Sequence, residues 1–378
     1  MERITPQQLS DILVDFLCQF SYQDDVCLPR SEFHAIQDYA STFLPYEEKI
    51  VAGMSEYAHA TFPFLPLEIR QRAVVYDAYQ MSIDDLDHED HDSLDGLCPQ
   101  LSGQTTIQHP VWQGFFNALP DFLRFYGPYC QTTLLRGALE FIQATTVERT
   151  LFRGYPGSKF PDYVRRMSAQ GPVQGAVCFP EQEFPQREYL SAIASVEAEL
   201  EDWVGTVNDL FSFYKESDTA VDRINYPLNV SACTGRTPAE VLWEISDIAL
   251  ACKTRMEVIL ASAGKESVQR RVQEFLTGYI RYHLACDRYR LGELCVKTGD
   301  VDLLAYYRMS RRAVGALEAP FLPVHPSRRN RAAPPRSDGI WLAKTHADTS
   351  DNVNATGKGF LGFSWARKAF ARVISLRM

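Results

Sequence analysis

No run of 18 or more apolar residues occurs anywhere in the 378-residue chain, which excludes a membrane-spanning helix as its organising element. The opening stretch MERITPQQLSDILVDFLCQF has no basic segment leading into an apolar one, so it does not read as a secretory leader and a cytoplasmic location is expected. The nine cysteines never form C-x-x-C pairs or stand beside histidines at metal spacing. That excludes a disulfide framework and a zinc site and leaves reduced core thiols. Also missing are a G-x-G-x-x-G turn, a Walker loop, a nucleophile elbow and H-E-x-x-H. An excess of positive charge is missing too: the net charge of −10 argues against a nucleic-acid partner.

What the chain does have is apolar mass, 46% of residues, with 22 Phe, 18 Tyr and 5 Trp. That is enough to bury a large core and line an apolar cavity, although most of the rings serve as ordinary core. Length alone favours two or three domains. No linker or change of texture interrupts residues 1–315, however, and apolar residues recur at helical spacing in stretch after stretch. One all-α domain over residues 1–319 is therefore expected, followed by a separate tail, 320–378. Helices are predicted over 9–20, 33–44, 47–60, 68–85, 111–126, 129–152, 196–216, 238–262 and 266–297. Pro29, Pro45, Pro63 and Pro66 act as breaks, and residues 217–237 read as a polar loop.

The most informative stretch is VEAELEDWVGTVNDLFSFYKE, residues 196–216. At 100° per residue, Asn208, Ser212 and Glu216 fall on one helix face, a strip about 80° wide. Their neighbours Trp203, Val204, Val207, Leu210, Phe211 and Phe213 look buried, so the strip faces an interior rather than solvent. An amide oxygen, a hydroxyl and a carboxylate form a hard oxygen site suited to Mg²⁺ and poor for zinc or copper. Taken alone, such a strip is as ordinary on a solvated surface.

A second acidic site shifts the balance. The helix EIRQRAVVYDAYQMSIDD ends in Asp84 and Asp85, followed by Asp87, Glu89, Asp90 and Asp92. Clustered carboxylates repel one another unless cations neutralise them. Two such sites on facing helices would hold a small cluster of Mg²⁺, and such a cluster binds a diphosphate. Asp77 lies seven residues before Asp84, on nearly the same face and about 10 Å deeper along the axis. It either turns aside to a partner or influences the reaction.

An aspartate-rich pair ending a helix (SIDDLDHED), then N-D-x-x-S-x-x-x-E (NDLFSFYKE), then an R-Y pair (DRYRL), in this order, resemble the class I terpene cyclases. Among these the chain is most similar to the fungal sesquiterpene cyclases of the trichodiene synthase type, a likeness that extends to HPVWQGFFNALPDFLRFYGPYC and GYPGSKFPDYVRRM. It covers about residues 5–315.

The resemblance implies a class I helical bundle around an apolar active-site cavity, three Mg²⁺ ions and farnesyl diphosphate as substrate. By resemblance Asp84 is a metal ligand, alongside Asn208, Ser212 and Glu216. Asp85 would pair with Arg288 as a salt-bridge switch that reports diphosphate binding. Arg165, of the adjacent Arg165 and Arg166, is implied as the diphosphate sensor, and Lys215, Arg288 and Tyr289 as further diphosphate contacts. Gly171 and Gly175 would bracket a kink at the cavity wall. The acidic run departs from D-D-x-x-D, with His88 at the fifth position. Cys286 and Asp287 precede the R-Y pair where the family carries a basic residue, which leaves one positive charge fewer. Glu89, Asp90 and Asp92 read as solvated loop charges.

The implied reaction is Mg-dependent ionisation of farnesyl diphosphate followed by carbocation cyclisation, to a trichodiene-like hydrocarbon or a longiborneol-like alcohol. A chain-elongating prenyltransferase would carry a second Asp-rich motif in place of NDLFSFYKE. A protonation-initiated cyclase needs D-x-D-D, which residues 85–88 do not supply. A non-catalytic helical scaffold would have no reason to keep both metal sites and the R-Y pair. The tail from Val324 carries 10 Lys and Arg against 3 Asp and Glu, net +7 against −17 for the rest. It reads as disordered and basic, with room for weak membrane contact through residues 360–378, or as a dispensable extension. A homodimer is also allowed.

Overall fold

The chain begins its first helix where sequence chemistry says it should. Thr5 caps α1 (Pro6–Phe20) by accepting from the Gln8 backbone, Gln8 returns the bond, and Pro6 fills the first turn where its missing N–H costs nothing. A computed structural model describes residues 4–86, 97–148, 150, 152–217 and 225–316, with only the backbone of residues 85 and 86. Asp87, His88, Glu89, Asp90, Asp92 and the tail from 320 lie outside the described residues. The elements continue as α2 (Arg30–Ser41), α3 (Glu48–Thr61), α4 (Leu67–Leu86), α5 (Leu97–Leu101), α6 (Pro110–Leu123), α7 (Pro128–Glu148), α8 (Phe160–Ser168) and α9 (Gly171–Val177). Then come α10 (Gln186–Glu216), α11 (Tyr226–Thr234), α12 (Pro238–Ala263) and α13 (Glu266–Ala285), a 3₁₀ turn (Asp287–Tyr289), α14 (Leu291–Thr298) and α15 (Val301–Ala313). No strand occurs among the described residues, so the all-α expectation holds.

Six helices form a closed circuit, each packed on the next: α3 on α4, α4 on α7, α7 on α9, α9 on α10, α10 on α13, and α13 back on α3. Helix α10, 31 residues long, touches more of the other described elements than any other, because its apolar residues lie on every side. Trp203, Val207, Leu210, Phe211 and Phe213 are all buried. The first helices, expected to serve as a cover, divide their roles: α1 packs outside on α12 and α14, whereas α3 is a wall of the circuit.

Two glycines set how closely the walls meet. A Cβ on Gly278 would stand 2.4 Å from the Thr61 carbonyl oxygen of α3, and one on Gly171 would stand 2.5 Å from the Glu201 Cα of α10. In both places the obstacle is backbone, which cannot swing away. Gly171→Ala is therefore expected to destabilise the protein by about 3 kcal/mol, read as a lower urea midpoint at an unchanged m-value. Gly171 and Gly175 were read as bracketing a kink. The break actually lies before them, at Gln170, whose φ of 54° separates α8 from α9.

Two further expectations are corrected. The segment 217–237, read as a loop, contains α11, which Asn225 caps by accepting from Leu228 N and which Gly235 ends in the left-handed conformation. The helix read as 266–297 stops at Ala285. Cys286 turns extended, Arg290 takes φ 56°, and the R-Y pair sits on the 3₁₀ turn between them. No helix among the described residues is long and apolar enough to cross a membrane.

Candidate active site at the mouth of the helical circuit

Asp84 stands in the last turn of α4, Glu148 ends α7 and Glu216 ends α10. Asp84 and Glu216 each lie within electrostatic reach of Glu148. Partial burial first, then Asp84, then more weakly Glu216 push the Glu148 carboxyl up to about 7, against the pull of Arg165. Glu148 reaches solvent, so water screens part of this effect. The C-terminal ends of three circuit helices thus meet at one mouth, and each brings a partial negative charge from its orphan carbonyls. An anion can settle there only after cations have reversed the field.

On α10 the strip runs inward from that mouth. Arg165, from α8, donates from Nη2 to Asn208 Oδ1 (2.9 Å) and to the Gly205 carbonyl (3.1 Å), and from Nε to Asp209 (3.0 Å). Burial raises the Asp209 carboxyl to about 7, Arg165 opposes the shift, and Glu216 and Glu148 add to it. Arg166 instead pairs with Glu201, so of the two adjacent arginines Arg165 is the one that reaches the Asn208 strip. A Cβ on Gly205 would crowd Ala169 Cβ at 3.2 Å, while Arg165 Nε would stay at an ordinary contact distance of 3.7 Å.

The orientation of the Asn208 amide follows from a residue to which the sequence assigned no role. His283 Nδ1 lies 2.8 Å from the Tyr279 carbonyl, which can only accept, so Nδ1 carries the proton. Burial holds the ring neutral by lowering its pKa to about 3. Nε2 must then accept, and it does so from Asn208 Nδ2 at 3.1 Å, which turns Oδ1 toward Arg165 and the mouth. Tyr289 of the 3₁₀ turn packs on the same imidazole at a tilt of 35°, its ring centroid 4.6 Å away. His283→Phe, which keeps the ring packing but loses this acceptor, is expected to weaken Mg²⁺ binding 10- to 100-fold, read from the Mg²⁺ dependence of activity. Unchanged Mg²⁺ dependence would make the imidazole a packing element only.

Ser212, on the same face, is buried and its hydroxyl meets no hydrogen-bond partner. A buried hydroxyl normally finds one, so an oxygen site that lacks only its cation fits what is observed. Asn208, Ser212 and Glu216 supply an amide oxygen, a hydroxyl and one carboxylate, a donor set suited to Mg²⁺. Among the described residues no three His, Cys, Asp or Glu side chains stand at metal-ligating spacing. The strip needs none, because two of its three donors are uncharged.

Lys215 lies 4.0 Å from Glu216, and the exposed Arg288 lies within electrostatic reach of Tyr289. The Asp85 side chain is outside the described residues, and with it the pairing to Arg288. Where α3, α10 and α13 pack, Trp203, Phe275, Tyr279, Tyr57 and Tyr282 meet edge to face or tilted, with centroids 4.8–6.1 Å apart. A cleft of about 90 Å³ beside Tyr39 and Phe115 and one of about 240 Å³ between α12 and α13 lie elsewhere.

Residues 47–319 match the family model described as Trichodiene synthase (TRI5). Trichodiene synthase of Stachybotrys chartarum is 29% identical over 277 residues, 72% of this chain and 71% of that protein. Those of Gibberella zeae and Fusarium acaciae-mearnsii are each 31% identical over 253 residues, 67% of this chain and 66% of theirs, so the match spans about two thirds of these relatives. Among solved structures, the linalool/nerolidol synthase from Streptomyces clavuligerus superposes with a TM-score of 0.53 at 14% identity, over 69% of this chain and 97% of that one. A variant of cucumene synthase gives 0.52 at 17% identity, over 70% and 97%. At such identities the structural likeness speaks for the fold alone.

Proposed function

The chain belongs to the trichodiene synthase family, and from that premise we propose that it is a sesquiterpene cyclase that converts farnesyl diphosphate to a cyclic sesquiterpene and diphosphate. The observation that carries this reading is the convergence of Asp84, Glu148, Glu216 and Arg165 at one mouth of an apolar helical circuit. That is a place for a polyanionic head above a place for a hydrocarbon chain.

Mg²⁺, three ions in all, would be held by Asp84 on one side and by Asn208, Ser212 and Glu216 on the other, and supplies Lewis-acid stabilisation of the departing diphosphate. Arg165 now occupies the Asn208 oxygen that a cation would take. Displaced from it, the guanidinium can keep Asp209 through Nε and offer its Nη groups to phosphate oxygens. Lys215, Arg288 and the Tyr289 hydroxyl add donors around the same group. Together these residues oppose the negative field of the three helix ends, and the site favours the diphosphate most when its charge grows during C–O cleavage. The faces of Tyr57, Tyr279 and Tyr282 inside the circuit stabilise the cations that follow, and the packed walls keep water from them. Whether the product is a trichodiene-like hydrocarbon or a longiborneol-like alcohol depends on side chains within the circuit. Neither membrane contact through the tail nor a homodimer is carried by any described residue.

The test is incubation with farnesyl diphosphate and Mg²⁺, with diphosphate assayed and volatiles analysed by mass spectrometry. Mg²⁺-dependent diphosphate release with a cyclic fifteen-carbon product is expected. Longer diphosphates formed only with added isopentenyl diphosphate would make the protein a chain-elongating transferase, and no turnover at all would favour a scaffold.

A further inference from the structure

Well below the mouth, a polar chain crosses the interior of the circuit. Tyr57 on α3 donates to Gln174 Oε1 on α9 at 2.7 Å, and the Gln174 side chain in turn stands close enough to the Asp77 carboxylate on α4 to favour its charged form. Helix α9 is a circuit neighbour of neither α3 nor α4, so these contacts run across the interior rather than along the wall. Asp77 is 7% exposed and sits about 10 Å, two turns of α4, below Asp84. Tyr279 lies within electrostatic reach of Asp77 and also of Arg165, Asp209 and Tyr289, so a single ring spans from the head-group site to this carboxylate.

We propose that Asp77 is the internal proton acceptor that ends the cation cascade as an olefin, a role that rests on the cyclase reading above. In this step a C–H bond next to the cationic carbon breaks. Its electron pair becomes the new π bond, the proton passes to an Asp77 oxygen, and cation and carboxylate are neutralised together. The proton returns to water when the product leaves, so the carboxylate is regenerated and no other reactant is consumed.

The surroundings suit a base. Burial pushes the Asp77 carboxyl up to about 7, Gln174 holds it back somewhat, and no cationic side chain contributes. The titratable groups facing it are Tyr57 from α3, Tyr76 of α4 itself, Tyr126 ahead of α7 and Tyr279 from α13. Burial raises all four phenols, so they are neutral at that pH. Arg70 and Arg72, on the same helix, are engaged by Glu32 of α2 and Asp121 of α6. The other candidates near the interior are committed: His283 Nε2 accepts from Asn208, and Asp209 is tied to Arg165. A carboxylate whose pKa is near the working pH is both ionised enough to accept a proton and able to lose it again.

The experiment follows product distribution and diphosphate release together, from pH 5.5 to 8.5, for the wild type, Asp77→Asn, Asp77→Glu and Gln174→Leu. In the wild type the olefin share rises with pH through about 7. In Asp77→Asn, among molecules that do ionise, that share falls about tenfold in favour of water-captured products and no longer depends on pH. Asp77→Glu restores part of it. Gln174→Leu removes a donor to the charged form, so the midpoint moves to higher pH, and this arm decides the matter if Asp77→Asn does not fold. A pH-independent olefin share in the wild type, or an unchanged profile in Asp77→Asn or an unmoved midpoint in Gln174→Leu, overturns the assignment. If the wild type releases no diphosphate at all, the cyclase reading fails first and the assignment falls with it.

Discussion

Asn208→Ala is expected to lower kcat/KM for farnesyl diphosphate about 10³-fold, roughly 4 kcal/mol of transition-state stabilisation, while thermal unfolding stays cooperative. The effect is large because one side chain serves three purposes. Its oxygen is the innermost donor of the α10 strip, it restrains Arg165, and its amide is the only described group that holds His283 Nε2. Alanine removes the ligand and also leaves a buried imidazole nitrogen without a donor. Steady-state kinetics across Mg²⁺ concentrations check this. A loss that excess Mg²⁺ fully recovers is ground-state binding alone, and near-normal kinetics would remove Asn208 from the metal site.

Arg165→Ala should be nearly as damaging to turnover, and it should also destabilise the fold in a pH-dependent way. Asp209 is buried with Arg165 as its cationic partner, and stranding a charge of that kind costs about 3 kcal/mol. The sign follows from protonation. The folded-state pKa of Asp209 is raised, so its carboxyl is neutral at low pH, and the stability tied to that neutral form is lost as pH rises through about 7. Without the guanidinium the shift is larger still. The variant should therefore be only mildly destabilised at pH 6 and markedly so at pH 8. Urea midpoints at the two pH values check this, and a deficit independent of pH would mean that Asp209 is not the group left stranded. Arg165→Lys should recover most of the stability but little of the rate, because an ammonium cannot contact Asp209 and a phosphate through one planar fork.

The sequence disclosed those parts of the molecule that repeat at a fixed spacing. Asn208, Ser212 and Glu216 fall one turn apart, and the structure keeps them on one helix with Ser212 buried and unpartnered. The wall helices were legible for the same reason, since a buried apolar face must recur with the helical period. Groups brought together by packing alone were not legible. Glu148 closes a helix with nothing around it in the chain to mark it, and only its nearness to Asp84 and Glu216 makes it part of the site. His283 stood in an aromatic run as one buried ring among several, and its role appears only once Tyr279 fixes its tautomer. The segment around Asn225, Pro227 and Gly235 carried both a start and a stop signal, but its polar composition outweighed them. The break at Cys286 had no glycine or proline to announce it. Asp77 had two open readings in the sequence, and Gln174, 97 residues away, comes near it only through packing.

The central claim is that two oxygen-rich sites on different helices share cations at the mouth of an apolar circuit. The most direct measurement is anomalous diffraction from crystals grown with Mn²⁺ in place of Mg²⁺ and with inorganic diphosphate. The account predicts one peak against Asn208, Ser212 and Glu216, at least one against Asp84, and diphosphate density between them in contact with Arg165. Diphosphate bound elsewhere, or no peak on the α10 strip at saturating Mn²⁺, would contradict it.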